Sequence, residues 1–280
     1  VTRTLQEALA DIVNAYRSGA RLLFLFDYDG TLVPIAPRPD MAVMSAVTRR
    51  RLERLIQLPS VFVAVLSGRT LADLKAKVGI SGLYYAGTSG LELDLSGATL
   101  IHPESDRAAR LIAVVADRVN RDVAGYSGAW VEHKRLGLTV HYRHAEPDRI
   151  EALTRRVIQS VEPFSGALQV LDGPMAIEMV PNLGWTKSSA LFKITETIQR
   201  GSEGAVIPFC AGDAGNDADV LRATDALGGI AIGIGERAPA TARHRLLSPA
   251  ELDACLDALL ERLSATSPPA CLSSADPATA

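Results

Sequence analysis

Asp27 and Asp29 stand two residues apart in Asp27-Tyr28-Asp29-Gly30-Thr31, directly after the apolar run Leu22–Phe26. Two carboxylates at a strand end can divide labour if their surroundings differ: one attacks as an ionised nucleophile while the other exchanges a proton with a leaving group. They can equally share a divalent cation, which prefers carboxylate and carbonyl oxygens. Asp-Gly is also an ordinary turn sequence, and the strand pattern before it is what favours the chemical reading. A second run, Val61–Leu66, leads into Ser67-Gly68-Arg69. A hydroxyl and backbone N–H groups where a helix begins, from Thr70 onward, suit a phosphate oxygen; a plain N-cap is the simpler alternative. A third run, Ala205–Ala211, leads into Gly212-Asp213-Ala214-Gly215-Asn216-Asp217. Its acids, four apart around a glycine-rich turn, can present Asp213 to a cation and Asp217 to an ammonium. Lys187 opens a helical pattern over 188–198, where its charge opposes the helix dipole, a placement that weakly favours a functional role.

The segments that must carry these groups read as an α/β fold. Uninterrupted apolar runs are strands covered on both faces, as in a parallel sheet, and such sheets bind ligands beyond the carboxyl ends of their strands. Three strands ending in polar residues can therefore meet on one rim. Leu5, Ala8, Leu9, Ile12, Val13 and Tyr16 predict an amphipathic helix over 4–17. Between the second and third runs the pattern changes. A helix over 105–120 precedes alternating strands at Trp130–Lys134 and Leu138–Arg143; a second helix over 147–161 precedes strands near Ala167–Leu171 and Met175–Val180, joined by an Asp172-Gly173-Pro174 turn. This is a self-contained α+β module. The expected division is a discontinuous core, 1–103 and 181–263, an inserted cap or lid over 104–180, and a disordered tail over 264–280. Two chain crossings into the cap permit hinge motion over a site.

Composition excludes several classes. The 280 residues suffice for one large domain or two unequal ones, and 48% hydrophobic with 22% charged residues is a globular balance. With 29 basic against 32 acidic residues, the net charge of -3 supplies no broad cationic field for nucleic acid. Cys210, Cys255 and Cys271 are an odd set without a short-spaced pair, which argues against a disulfide framework or a zinc knuckle and for a reducing cytoplasm. No apolar run reaches the ~18 residues of a membrane span, so no membrane partner is expected.

Taken together, Asp27, Asp29, Ser67, Lys187, Asp213 and Asp217 follow the order and spacing of the haloacid dehalogenase superfamily of phosphotransferases, which the chain resembles over about residues 20–260. The resemblance implies a Rossmann-like core with an inserted α+β cap of the C2 type, Mg²⁺, and an aspartyl-phosphate intermediate. By position, Asp27 is implied as nucleophile and Asp29 as general acid and base, with Ser67 and Lys187 on the phosphoryl oxygens. Asp213, Asp27 and Asp29, the last through its carbonyl, are implied metal ligands, backed by Asp217 and Asn216. Gly68 and Arg69 are expected to touch the substrate.

A narrower likeness lies in Val131-Glu132-His133-Lys134, Val140-His141-Tyr142-Arg143 and Ile177-Glu178, which are similar to the trehalose-6-phosphate phosphatases and imply Glu132, Lys134, Arg143 and Glu178 as sugar-binding groups. Carboxylates accept from sugar hydroxyls, while Lys and Arg donate; Glu132 and Lys134 share one strand face by alternation. Surface ion pairing is the plain alternative. Gly87-Thr88-Ser89-Gly90-Leu91-Glu92 stands where the family often has Gly-x-His-Gly-x-Glu, and the acidic motif around Asp213 also departs from the family's usual form. The resemblance therefore admits related glycosyl phosphates: glucosylglycerol, glucosylglycerate or aminocyclitol conjugates. A receiver-type phosphoacceptor domain is a rival that needs no cap, and a non-catalytic sugar-phosphate-binding protein is another. The expected partner is a small sugar phosphate, the expected state a monomer, with a possible functional link to a glycosyltransferase.

Overall fold

Thr4 caps the first helix, Leu5–Arg17 (α1), in a reciprocal box with Glu7, and the helix lays Ala8, Leu9, Ile12, Val13 and Tyr16 on the core. The chain then enters Arg21–Asp27 (β1), buried along its whole length. The computed structural model describes residues 4–173, 175–200 and 204–265. Helix Ala46–Ile56 (α2), strand Val61–Leu66 (β2) and helix Leu71–Val78 (α3) follow, then the strands Tyr84–Gly87 (β3), Glu92–Leu95 (β4) and Ala98–Ile101 (β5). After the insertion described below, Lys187–Gln199 (α6), Val206–Gly212 (β10), Ala218–Ala226 (α7), Ile230–Ile234 (β11), His244–Leu246 (β12) and Pro249–Ser264 (α8) complete the core.

The large sheet has the order β12-β11-β10-β1-β2-β3-β4-β5, parallel from β12 to β3 and antiparallel at β4 and β5. Its central strand explains the unbroken apolar run. Leu22, Phe24 and Phe26 pack on the side of α1, α2 and α8, whereas Leu23 and Leu25 pack on the side of α6 and α7. Successive connections leave β1 toward β2 and β3, while the later strands β10 to β12 build outward on its other side. The crevice between β1 and β10 is thus a topological switch point, where helices on opposite faces leave room for a ligand.

The inserted unit is built from Ser105–Val123 (α4), Trp130–Lys134 (β6), Gly137–His141 (β7), Ile150–Val161 (α5), Leu168–Gly173 (β8) and Ala176–Pro181 (β9). Its antiparallel sheet, β6-β7-β9-β8, buries Leu138, Val140, Ile177 and Met179 against Ile112, Val115 and Val119 of α4 and Leu153 and Val157 of α5. Strand alternation turns the polar set of the same strands to the opposite face. That face looks at the rim of the large sheet.

Several local expectations change. The β4–β5 hairpin gives the large sheet an antiparallel edge that the apolar runs do not announce. β7 stops at His141, so Arg143 lies in the turn beyond it. Asp172 and Gly173 belong to β8, paired with Ile177 and Ala176, rather than to a turn; Pro174 lies outside the described residues. Ser264 is the last residue of α8, and the remainder of the expected tail from 266 on, with Cys271, lies outside the described residues. Among the described residues, no helix is long and apolar enough to cross a membrane.

Candidate active site

At the rim, β1 ends in Asp27, Asp213 follows β10, Asp217 closes a short turn before α7, and Lys187 is the first residue of α6. These groups converge. The Lys187 Nζ donates to Asp27 Oδ1 at 2.6 Å and to Asp217 Oδ1 at 2.5 Å, with Lys187 only 1% exposed. Carboxylate oxygens of Asp27, Asp213 and Asp217 all lie within 4.8 Å of one another. Asp217 is fixed from behind: its Oδ2 accepts from the backbone N–H of Asp213 at 3.0 Å and of Ala214 at 3.2 Å. Gly30 lets the chain turn beneath this cluster at φ 95°, and a Cβ there would collide with the Asp213 carboxylate.

The electrostatics follow from crowding. Burial, then the neighbouring Asp217 and Asp213, push Asp27 well above the usual carboxylate range, although Lys187 opposes them. Burial and Asp217 push Asp213 up to about 7, against the lowering effect of Arg237, which donates to Asp213 Oδ2 at 2.9 Å. Burial works against the Lys187 charge, but Asp217 and Asp27 more than offset it and raise Lys187 well above its ordinary value. Three buried carboxylates thus face one buried ammonium and one half-exposed guanidinium. The surplus negative charge and the all-oxygen donor set suit a hard divalent cation.

Beside Asp27, the Ser67–Arg69 loop is clamped rather than open. Thr70, not Ser67, caps α3. Ser67 N–H donates to Ala86 O at 2.9 Å, and Arg69 N–H donates to Ser67 Oγ at 3.1 Å. From the other side, the N–H groups of Thr88 and Ser89 donate to the carbonyls of Arg69, at 2.6 Å, and Ser67, at 2.9 Å. Aiming both donors there places Thr88 at φ 45° and Ser89 at φ 55°. Such left-handed backbone costs on the order of 1–3 kcal/mol per residue and collects where structure serves a site. Arg69, expected on the substrate, lies buried at the edge of the cleft with its guanidinium held by protein groups. Its fork donates to both Asp29 oxygens, at 2.7 and 2.8 Å, and further to Asp73 and the Pro39 carbonyl. It orients Asp29.

The polar face of the cap sheet closes the cleft. Lys134 donates to the Gly68 carbonyl at 3.0 Å and lies 3.8 Å from Glu178, while Arg143 donates to the Ala36 carbonyl at 2.8 Å. Glu178 comes so near the loop that a Cβ at Gly68 would crowd its carboxylate. Glu132 bonds His141 at 2.8 Å, and the Trp130 ring stacks on His141 with centroids 4.0 Å apart. Burial disfavours the Glu132 charge, but His141 and Lys134 outweigh it and hold this carboxyl below its ordinary range. Core and cap together line a cleft that touches every residue expected at the site except Lys187 and Asp217, which are buried next to Asp27. Trp130, Thr139, His141 and Arg237 were not anticipated. For Trp130, alternation with Glu132 on the same strand was the available signal; Thr139 and His141 reach the face through cross-strand register, and Arg237 carried no signal.

The capped α/β architecture is shared with solved structures of haloacid dehalogenase-like hydrolases, such as one from Bacteroides thetaiotaomicron, which is 14% identical with a TM-score of 0.61 over 85% of this chain and 99% of that one. The C-terminal domain of the Candida albicans trehalose-6-phosphate phosphatase has the same fold, with a TM-score of 0.81 at 22% identity, covering 93% of this chain and 99% of that chain. Residues 25–243 match the trehalose-phosphatase family model, and the chain belongs to that family. The trehalose-phosphate phosphatase of Mycobacterium avium is 38% identical over 210 residues, 74% of this chain and 52% of that protein. The chain therefore spans about half the length of this curated relative.

The strained clamp yields a stability test. Ser89 combines φ 55° with a buried hydroxyl that has no hydrogen-bond partner. Ser89→Gly relieves both penalties, and the melting temperature should rise by about 2–4 °C per kcal/mol recovered. Differential scanning calorimetry measures it; a fall would show that the Ser89 side chain stabilises the loop.

Proposed function

We propose that this chain is a Mg²⁺-dependent phosphatase that hydrolyses trehalose 6-phosphate to trehalose and phosphate through an aspartyl-phosphate intermediate. The observation that carries the reading is the buried Lys187 bridging Asp217 to Asp27, which itself lines a cleft whose cap wall is charged. The family and the names of its relatives support the same chemistry.

Phosphoryl transfer depends mainly on in-line positioning and on neutralising the oxygens of the transferred group. In the proposed sequence, Asp27 attacks phosphorus through a carboxylate oxygen, forming a P–O bond as the bond from phosphorus to the sugar oxygen breaks. Asp29, with one oxygen released from Arg69 and carrying the proton taken from water in the preceding turnover, gives that proton to the sugar oxygen. Asp29 then takes a proton from water, the oxygen of which attacks phosphorus and releases phosphate and Asp27. Lys187 and the Ser67 hydroxyl hold phosphoryl oxygens throughout, and Asp217 with Asn216 supports the acidic turn. Asp27, Asp213 and the Asp29 carbonyl would hold Mg²⁺, which supplies charge neutralisation at the phosphoryl group. Across the cleft, Glu132, Lys134, Arg143 and Glu178 meet the sugar hydroxyls, while Gly68 provides the smooth floor between sugar and phosphate.

Phosphate release measured across a panel of sugar phosphates should show a preference for trehalose 6-phosphate; equal rates on monosaccharide phosphates would sink the substrate assignment. Asp27→Asn should fold as the parent does and lose kcat by about a thousandfold or more, because the amide is not a nucleophile. Retained turnover would remove Asp27 from that role. The raised Asp213 gives a pH dependence. An acid at about 7 in the folded chain and near the ordinary carboxylate value when unfolded favours folding at low pH, and that contribution is lost as pH rises through about 7. Metal-free protein should therefore lose stability from this group between about pH 4 and pH 7, while Mg²⁺ affinity should climb, since the ligands must be deprotonated. Calorimetric Mg²⁺ titrations at about pH 5.5 and about pH 8, paired with melting curves of chelated protein, check both signs.

A further inference from the structure

Thr139 sits in the middle of the cap's polar face. Its cross-strand neighbours are Glu132 on β6 and Glu178 on β9, so the three side chains form one row across the sheet. Thr139 is 2% exposed, it lines the cleft, and its Oγ1 has no hydrogen-bond partner. Among the described residues, it is the one partnerless buried hydroxyl on the wall of the cleft.

That combination needs a cause. A buried hydroxyl without a partner costs about 1–3 kcal/mol, and Val would fill the same β-branched shape in a strand without that cost. The opposite face of β7 shows the alternative: Leu138 and Val140, which pack on the cap helices, are purely apolar. A sugar hydroxyl both donates and accepts. Glu132 and Glu178, when ionised, only accept, so they satisfy the donor half of the sugar and leave the lone pairs of its oxygens to other groups, of which Lys134 and Arg143 are charged. A threonine hydroxyl between them supplies a donor at the middle of the row, and Glu132 is held for its part by His141 and the stacked Trp130.

We propose that Thr139 is a specificity-determining residue whose hydroxyl donates to a ring hydroxyl of the bound sugar, filling a slot that the protein itself leaves open. The inference rests on the proposed reading of this cleft as a sugar-phosphate site, and it adds a neutral donor to the charged groups already placed there. A site built to hydrogen-bond a hydroxyl discriminates by the partner it leaves unpaired when that hydroxyl is missing.

The test compares the parent enzyme with Thr139→Val and Thr139→Ser on trehalose 6-phosphate, glucose 6-phosphate and p-nitrophenyl phosphate, alongside melting curves. The parent comes first. If it shows no preference for the disaccharide phosphate, the functional reading falls and this inference falls with it. If the preference is present, Thr139→Val should lower the ratio of kcat/KM for trehalose 6-phosphate over p-nitrophenyl phosphate by about tenfold, the equivalent of one net hydrogen bond. Thr139→Ser should restore most of it, and the melting temperature of the Val variant should hold or rise. An unchanged ratio in Thr139→Val overturns the assignment of Thr139 and leaves the functional reading standing. A fall in melting temperature with equal losses on all substrates also overturns it, because the hydroxyl would then be structural.

Discussion

The salt bridge from Lys187 to Asp27 and Asp217 is the contact on which the rest of the site depends. It joins positions 160 and 30 residues apart in the chain, at the start of α6, the end of β1 and the turn before α7. Removing the ammonium from such a buried cluster costs several kcal/mol, because the carboxylates are left unmatched. Here the ammonium matches only part of the charge around it. Asp213 makes the balance negative, and the crowding keeps Asp27 and Asp213 above the ordinary carboxylate range. The same surplus that makes the metal-free cluster uncomfortable suits a hard divalent cation.

The surroundings hold this charge in place by using backbone that an ordinary loop would not accept. Gly30 turns at positive φ beneath Asp213, and Thr88 and Ser89 take left-handed conformations to grip the carbonyls of Ser67 and Arg69. Arg69 extends the grip to Asp29, so both acids of the Asp-x-Asp pair have fixed partners: Asp27 has Lys187, and Asp29 has the guanidinium fork. The cap brings a second polar surface against this one. Because its apolar side chains are consumed by α4 and α5, its strands present only their alternate residues to the cleft.

Much of this was legible in the amino-acid order. The unbroken runs before Asp27, Ser67 and Asp213 marked strands buried on both faces, and their polar ends do meet on one rim. The pattern over 105–180 marked a helix and hairpin module, and alternation placed Glu132 with Lys134. Illegible were the antiparallel β4–β5 edge, whose strands are only four residues each, and the groups that act through contacts at a distance. The ion pairs of Arg69 are one case: its bonds to Asp29, Asp73 and Pro39 exist only once the loop over 36–42 folds across it. Arg237 had no motif around it at all.

What the sequence determined by itself was the kind of chemistry: which acids follow strands, which lysine opens a helix, and which insertion interrupts the core. Those facts are local, since hydrophobic periodicity and strand-end polarity are written within a few residues of each group. What only the tertiary structure decided was the pairing. Lys187 has one charge and three buried carboxylates near it, and which two it bridges depends on how β1, β10 and α6 pack. Thr139 is likewise an unremarkable strand residue until β6, β7 and β9 align it between two glutamates, because cross-strand register relates residues the chain order keeps apart.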